Sequence, residues 1–191
     1  DSTSSRGLGD VYKRQLGFKE TNMYFVEICP EHCKVLKKVF PTAHIWPGDI
    51  RSPKIMQLVM TLANKVDTCV LAMLCQASSS ASMIHNPKDI RLSIGQFAIQ
   101  VALKLQPTTL ICENVATFMA NQPAAYSRAH VSVKEAYDNF EAIYLNAKHA
   151  MSPQQRNRLF LIGTNKGSLN QLRDAVKRQR ELRNSCLLYT S

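Results

Sequence analysis

Apolar and polar positions along this chain alternate between two periods, short β-rich runs and longer stretches with apolar residues at helical spacing. Met23–Cys29 predicts a strand, and Pro30 opens a helix over Glu31–Phe40 in which Val35, Leu36 and Val39 form a stripe with lysines opposite. Ala43–Trp46 predicts a short strand before Pro47-Gly48-Asp49. Ser52–Lys65 carries Ile55, Met56, Val59, Met60 and Leu62 at helical spacing, with Ser52 as N-cap and Pro53 in the first helical position. Thr68–Leu74 is continuously apolar, the pattern of a strand buried on both faces, and a polar loop follows over Gln76–Asp89. Beyond it the pattern gives a helix at Arg91–Leu105, a strand at Thr108–Cys112 and a helix at Val131–Phe140. Strands at Glu141–Asn146 and Leu159–Gly163 and a basic helix at Ser168–Leu182 complete it.

Repeated strand–helix alternation predicts an α/β fold built on a doubly wound, mostly parallel sheet, in which chemistry collects at the carboxyl ends of the strands. The 191 residues, 45% of them hydrophobic and 20% charged, suffice for one core and argue against pervasive disorder. No apolar run approaches the length of a membrane span, and the first twenty residues lack a secretory signal pattern. The expected setting is therefore cytoplasmic and reducing, where the six cysteines serve as thiols, ligands or nucleophiles rather than a disulfide framework. Cys29 and Cys33 with His32 form too sparse a set for zinc, so no metal is expected.

The two ends change how the charge and length are read. Asp10–Gln15 and Cys186–Ser191 are what one DNA segment and its reverse complement would encode, so residues 1–15 and 186–191 are expected to be adapter-derived and are set aside. The ends carry a net +1 of the total +10, so +9 stays with residues 16–185. That excess suits a polyanionic partner, since phosphate contacts supply most sequence-independent affinity for nucleic acid.

Three segments fall at strand ends: Cys75-Gln76, Glu113-Asn114-Val115, and Pro153-Gln154-Gln155-Arg156-Asn157-Arg158. They offer a thiol, a carboxylate and two guanidiniums to one crevice. In combination, and with Glu27, Gly48-Asp49-Ile50, Asp89-x-Arg91 and Leu145-Asn146-Ala147 in the same order and spacing, they resemble the cytosine-5 methyltransferase family. Members of that family transfer a methyl group from S-adenosylmethionine to cytosine in nucleic acid.

The resemblance implies a Rossmann-like methyltransferase fold, incomplete in this chain, with 16–165 as a partial catalytic domain and 166–185 as the start of a recognition region. It implies Cys75 as the nucleophile that adds to cytosine carbon 6, Glu113 as the carboxyl at ring nitrogen 3, and Arg158, with Arg156 supporting it, on the exocyclic oxygen. Gln76, Asn114 and Gln154 would complete the substrate side. S-adenosylmethionine would meet Glu27 at its ribose, Ile28 and Ile50 against the adenine, Asp49 at the adenine amino group, and Ile94 at its methionine end. Double-stranded DNA is the implied partner, with RNA, as in a cytosine-5 methyltransferase acting on transfer RNA, as the alternative substrate and a companion restriction endonuclease as a further partner. A buried target base would have to be flipped out, with the Gln76–Asp89 loop closing over it.

Departures from the family pattern set the competing expectation. Leu74 stands where the family has proline before the nucleophile, Ala72 where it has glycine, and Ser78, Ser79 and Ser80 cluster where it has phenylalanine. The family's first strand and glycine-rich turn are not found, since Gly7-Leu8-Gly9 lies in the adapter-like end. Such a chain is expected to be poorly active by itself, and a catalytically silent nucleic-acid-binding homologue is the reading from a different class.

Overall fold

The computed structural model describes residues 18–72, 90–147, 156–174 and 176–178. They form two compact units, one ending at Val59 and the other beginning at Met60.

In the first unit β1 (Tyr24–Glu27) pairs in parallel with β2 (His44–Pro47), from Tyr24 opposite His44 to Glu27 opposite Pro47. The connection is α1 (Pro30–Val39), opened by Pro30 because its missing N–H costs nothing in the first turn. Phe40 leaves this helix fully buried and stacks on Phe25 at 5.3 Å between ring centres, with Met23 and Ala43 completing the cluster. Burying such a ring contributes about 2 kcal/mol. α2 (Pro53–Met60) begins where expected, with Ser52 Oγ accepting the Ile55 N–H at 3.3 Å. It stops short of Lys65, because Asn64 adopts a left-handed backbone with φ of 60° and its N–H turns to the Leu105 carbonyl at 2.9 Å.

The second unit contains β3 (Thr68–Ala72), α3 (Ile90–Leu105), β4 (Thr109–Val115), α4 (Phe118–Asn121), α5 (Pro123–Ala136), β5 (Asn139–Asn146) and β6 (Asn157–Thr164). Its sheet order is β3-β4-β6-β5. β3 and β4 are parallel, whereas β6 runs against both β4 and β5, so three of the four strands share one direction. The ten residues between β5 and β6 are too few for a parallel crossover, which accounts for the reversal.

Three sequence expectations are corrected here. The helix placed at Val131–Phe140 starts earlier, at Pro123, and ends at Ala136, so Phe140 belongs to β5. β4 runs on past Cys112 to Val115, which puts Glu113 and Asn114 inside the strand rather than just beyond its end. β3 is not buried on both faces: it is the edge of its sheet, and Val70 is 47% exposed.

Strand alternation sends Leu110 and Cys112 of β4 and Leu159 and Leu161 of β6 into one core with Ile99 and Ala102 of α3 and Ala129 and Val133 of α5. Helix α5 reaches the sheet closely at Gly163, where a Cβ would stand 2.4 Å from Tyr137 Cδ2 and 3.0 Å from Val133 Cγ1. Tyr137 has little room to yield, because its hydroxyl donates to the Pro107 carbonyl at 3.1 Å. Gly163→Ala is therefore expected to destabilise the protein by about 1–3 kcal/mol through overpacking, read as a lower urea midpoint, and an unchanged midpoint would contradict this packing.

Candidate active site

The carboxyl end of β4 and the start of β6 bring two predicted residues together. Val115 lies opposite Arg158 in the antiparallel register, so Glu113, two residues back, is the diagonal same-face neighbour of Arg158. Arg158 Nε stands 2.6 Å from Glu113 Oε1, with the two side chains 21% and 27% exposed. The Nε atom is shielded from solvent and its N–H is not aimed along that line, so the pair meets by charge without an aligned hydrogen bond. Arg158 Nη1 donates instead to the Asn157 carbonyl at 2.9 Å.

Ala72, the last residue of β3, is the registered neighbour of Glu113. The chain therefore leaves β3 toward Cys75 from beside Glu113. Cys75, Gln76 and Gln154 themselves lie outside the described residues, as do Leu74 and the Gln76–Asp89 loop. Asn114 does not join Glu113: it lies in the row of Leu110 and Cys112, is 2% exposed, and accepts the Val115 N–H on its own Oδ1 at 2.8 Å. Arg156 precedes β6 and its carbonyl accepts the Ala147 N–H at 2.9 Å, bracing the start of the β5–β6 pair. Burial pushes the Cys112 thiol up to about 12, which makes it a core residue and no nucleophile. Among the described residues no group of three or more His, Cys, Asp or Glu is placed to hold a metal ion, and no helix is long and apolar enough to cross a membrane.

Four of the predicted cofactor residues sit in the first unit. Glu27 closes β1, with Oε1 accepting the Cys29 N–H at 2.8 Å and Oε2 standing 3.5 Å from His32 Nδ1. Ile28 beside it is 64% exposed, an apolar surface left open next to an oriented carboxylate. Asp49 follows β2 and receives the Arg51 backbone N–H at 2.8 Å, while Arg51 Nη2 reaches Oδ2 at 2.6 Å. Ile50, next in the chain, is half-buried. In the second unit Ile94 is half-buried on α3. Of the basic C-terminal stretch, residues 170–174 and 176–178 are helical; Arg173 pairs with Glu141 and Lys166 lies 3.6 Å from Asp67.

Two partners escaped the sequence reading. Arg51 was legible as the residue two beyond Asp49, where an Asx-type turn presents the backbone N–H to the carboxylate. His32 was legible from Pro30, which fixes the first turn of α1 directly after Glu27.

The side-chain hydrogen bond from Arg51 holds the Asp49 carboxyl below its ordinary value, assisted by the backbone N–H. Asp49 thus stays ionised to lower pH than in the unfolded chain. The small stabilisation this brings is present above the unfolded carboxyl value and fades as pH falls through the folded one. Arg51→Ala is expected to move the Asp49 titration upward toward the ordinary range in carboxyl-carbon NMR, and an unmoved titration would show that Arg51 is not its cause.

The chain matches the C-5 cytosine-specific DNA methylase family over residues 13–185. It is 25% identical over 179 residues to the Type II methyltransferase M1.HgaI of Avibacterium volantium, covering 87% of this chain and 49% of that protein. The chain thus spans about half the length of this curated relative. Among solved structures it is similar to Spodoptera frugiperda DNMT2, in an E260A/E261A/K263A mutant, with a TM-score of 0.58 and 19% identity, covering 84% of this chain and 47% of that one. It is equally similar to the Entamoeba histolytica methyltransferase EhMeth, with a TM-score of 0.58 and 15% identity over 74% of this chain and 44% of that one. These likenesses support the fold, and the match across nearly the whole sequence makes this chain a member of the C-5 cytosine-specific DNA methylase family.

Proposed function

We propose that this chain carries the reaction centre of an enzyme that methylates carbon 5 of cytosine in DNA through a covalent adduct on Cys75. The observation that carries the reading is the Glu113–Arg158 pair at the carboxyl end of β4, beside the end of the strand that leads to Cys75. Carbon 5 of cytosine is a poor nucleophile. Addition of the Cys75 thiolate to carbon 6 converts the ring to an enamine, and carbon 5 can then attack an electrophilic methyl. Electron density grows at ring nitrogen 3 and at the exocyclic oxygen during this addition. In its protonated form Glu113 donates a hydrogen bond at the first and Arg158 donates at the second, so both act on charge that develops only as the reaction proceeds. Transfer of the carbon 5 proton to a solvent water and expulsion of the thiolate then restore the ring. Gln76 and Gln154 assist in seating the base, Asn114 shapes the strand behind Glu113, and Arg156 steadies the start of β6.

S-adenosylmethionine supplies the methyl group when bound. Glu27 fits its ribose hydroxyls, because the carboxylate is oriented by Cys29 and remains partly exposed beside the open face of Ile28. Asp49 is suited to an adenine amino group, with Ile50 against the ring, and Ile94 provides an apolar wall for the methionine end. The net positive charge suits a DNA backbone, and the name of the curated relative, a Type II methyltransferase, supports a companion restriction endonuclease.

The test is tritiated methyl transfer by protein carrying this chain to a cytosine-containing duplex and to RNA of the same sequence. Transfer to the duplex is expected, lost in Cys75→Ser and lowered by about 10²–10³ in Glu113→Gln. Full transfer by Cys75→Ser would overturn the proposed nucleophile. Transfer to RNA alone would reassign the substrate, and duplex binding without any transfer would identify a silent homologue.

A further inference from the structure

Of the sequence motif Cys29-Pro30-Glu31-His32-Cys33 the reading above uses only the Cys29 N–H, and contacts of Cys29, His32 and Cys33 meet at one residue. The Glu27 backbone carbonyl accepts the Gly48 N–H at 2.9 Å and the Cys33 thiol at 3.4 Å. Glu27 Oε1 accepts the Cys29 N–H at 2.8 Å, and His32 Nδ1 stands 3.5 Å from Oε2. The first turn of α1 thus engages the main chain of Glu27 and both of its carboxylate oxygens.

We propose that His32 is a positioning residue that fixes the plane of the Glu27 carboxylate for two adjacent ribose hydroxyls, a role that rests on the ribose reading of Glu27. A carboxylate held at one oxygen still rotates about its terminal torsion, whose preferences are broad. His32 Nδ1, 3.5 Å from the second oxygen, restricts that rotation. Each oxygen keeps acceptor capacity after one contact, so the held group can still receive one hydroxyl on each oxygen. Side-chain exposures of 28% for His32 and 27% for Glu27 leave the pair open to a ligand while keeping it out of bulk water. Holding one side chain in its bound orientation is worth a roughly two- to tenfold gain in affinity. The gain applies to ligands carrying both hydroxyls, because only they use the fixed plane.

NMR titration of the chain with S-adenosylhomocysteine and with its 2′,3′-dideoxy analogue tests this without requiring turnover. His32→Ala should weaken the hydroxylated ligand roughly two- to tenfold and leave the dideoxy ligand unchanged, and His32→Gln, which keeps a donor for Oε2, should restore the preference. Equal weakening of both ligands, or no change in either, would overturn the positioning role. Glu27→Gln separates the two claims: it should erase the preference for the hydroxylated ligand, and a preference that survives it would reject the ribose reading of Glu27 itself.

Discussion

The antiparallel register between β4 and β6 is the constraint on which the proposed reaction centre depends. It makes Glu113 and Arg158 diagonal neighbours on one face and turns Asn114 to the other. A one-residue slip would exchange the faces, burying the carboxylate in the core and lifting Leu110 and Cys112 out of it. The register is therefore secured by the same hydrophobic row that forms the core. Gly163 contributes at the far end of β6, where the absence of a side chain lets α5 lie against the strand.

A carboxylate and a guanidinium in contact at a partly shielded site are an arrangement a substrate can exploit. The cost of removing each from water is offset by the other, and the poor alignment of the Arg158 Nε–H leaves a strong donor without its best partner. A ring inserted between them, with an acceptor oxygen for Arg158 and an acceptor nitrogen for Glu113 in its protonated form, offers both groups better hydrogen bonds than they give each other. In the proposed reading that is the place of cytosine, with the Cys75 thiol arriving from the adjoining strand. The first unit repeats the device of an oriented charged group, since Glu27 and Asp49 are each held by a residue two positions further along the chain.

Most of the alternating pattern was legible because strand and helix periods differ, and Pro30 and Ser52-Pro53 mark helix starts by chemistry that acts locally. The errors arose where tertiary geometry overrides local preference. Asn64 ends a helix that the apolar spacing would continue, because its N–H finds the Leu105 carbonyl. Val70 reads as a doubly buried strand residue, yet it lies on the face opposite Cys69 and Leu71, which pack against the core, and no single segment encodes which face is covered. The order along the chain already singled out Glu27, Asp49, Glu113 and Arg158, the residues of the proposed site. Their partners His32 and Arg51 went unread, although Pro30 directly after Glu27 and the turn after Asp49 are local signals that could have found them.

Covalent trapping tests the central claim, that Cys75 attacks a base held by Glu113 and Arg158. Protein carrying this chain would be incubated with cofactor and a duplex containing 5-fluorocytosine, whose fluorine blocks release, and the linked peptide read by mass spectrometry. The account predicts an adduct on the peptide containing Cys75, absent in Cys75→Ser and diminished in Arg158→Ala. An adduct on any other cysteine, or one that persists in Cys75→Ser, would contradict it.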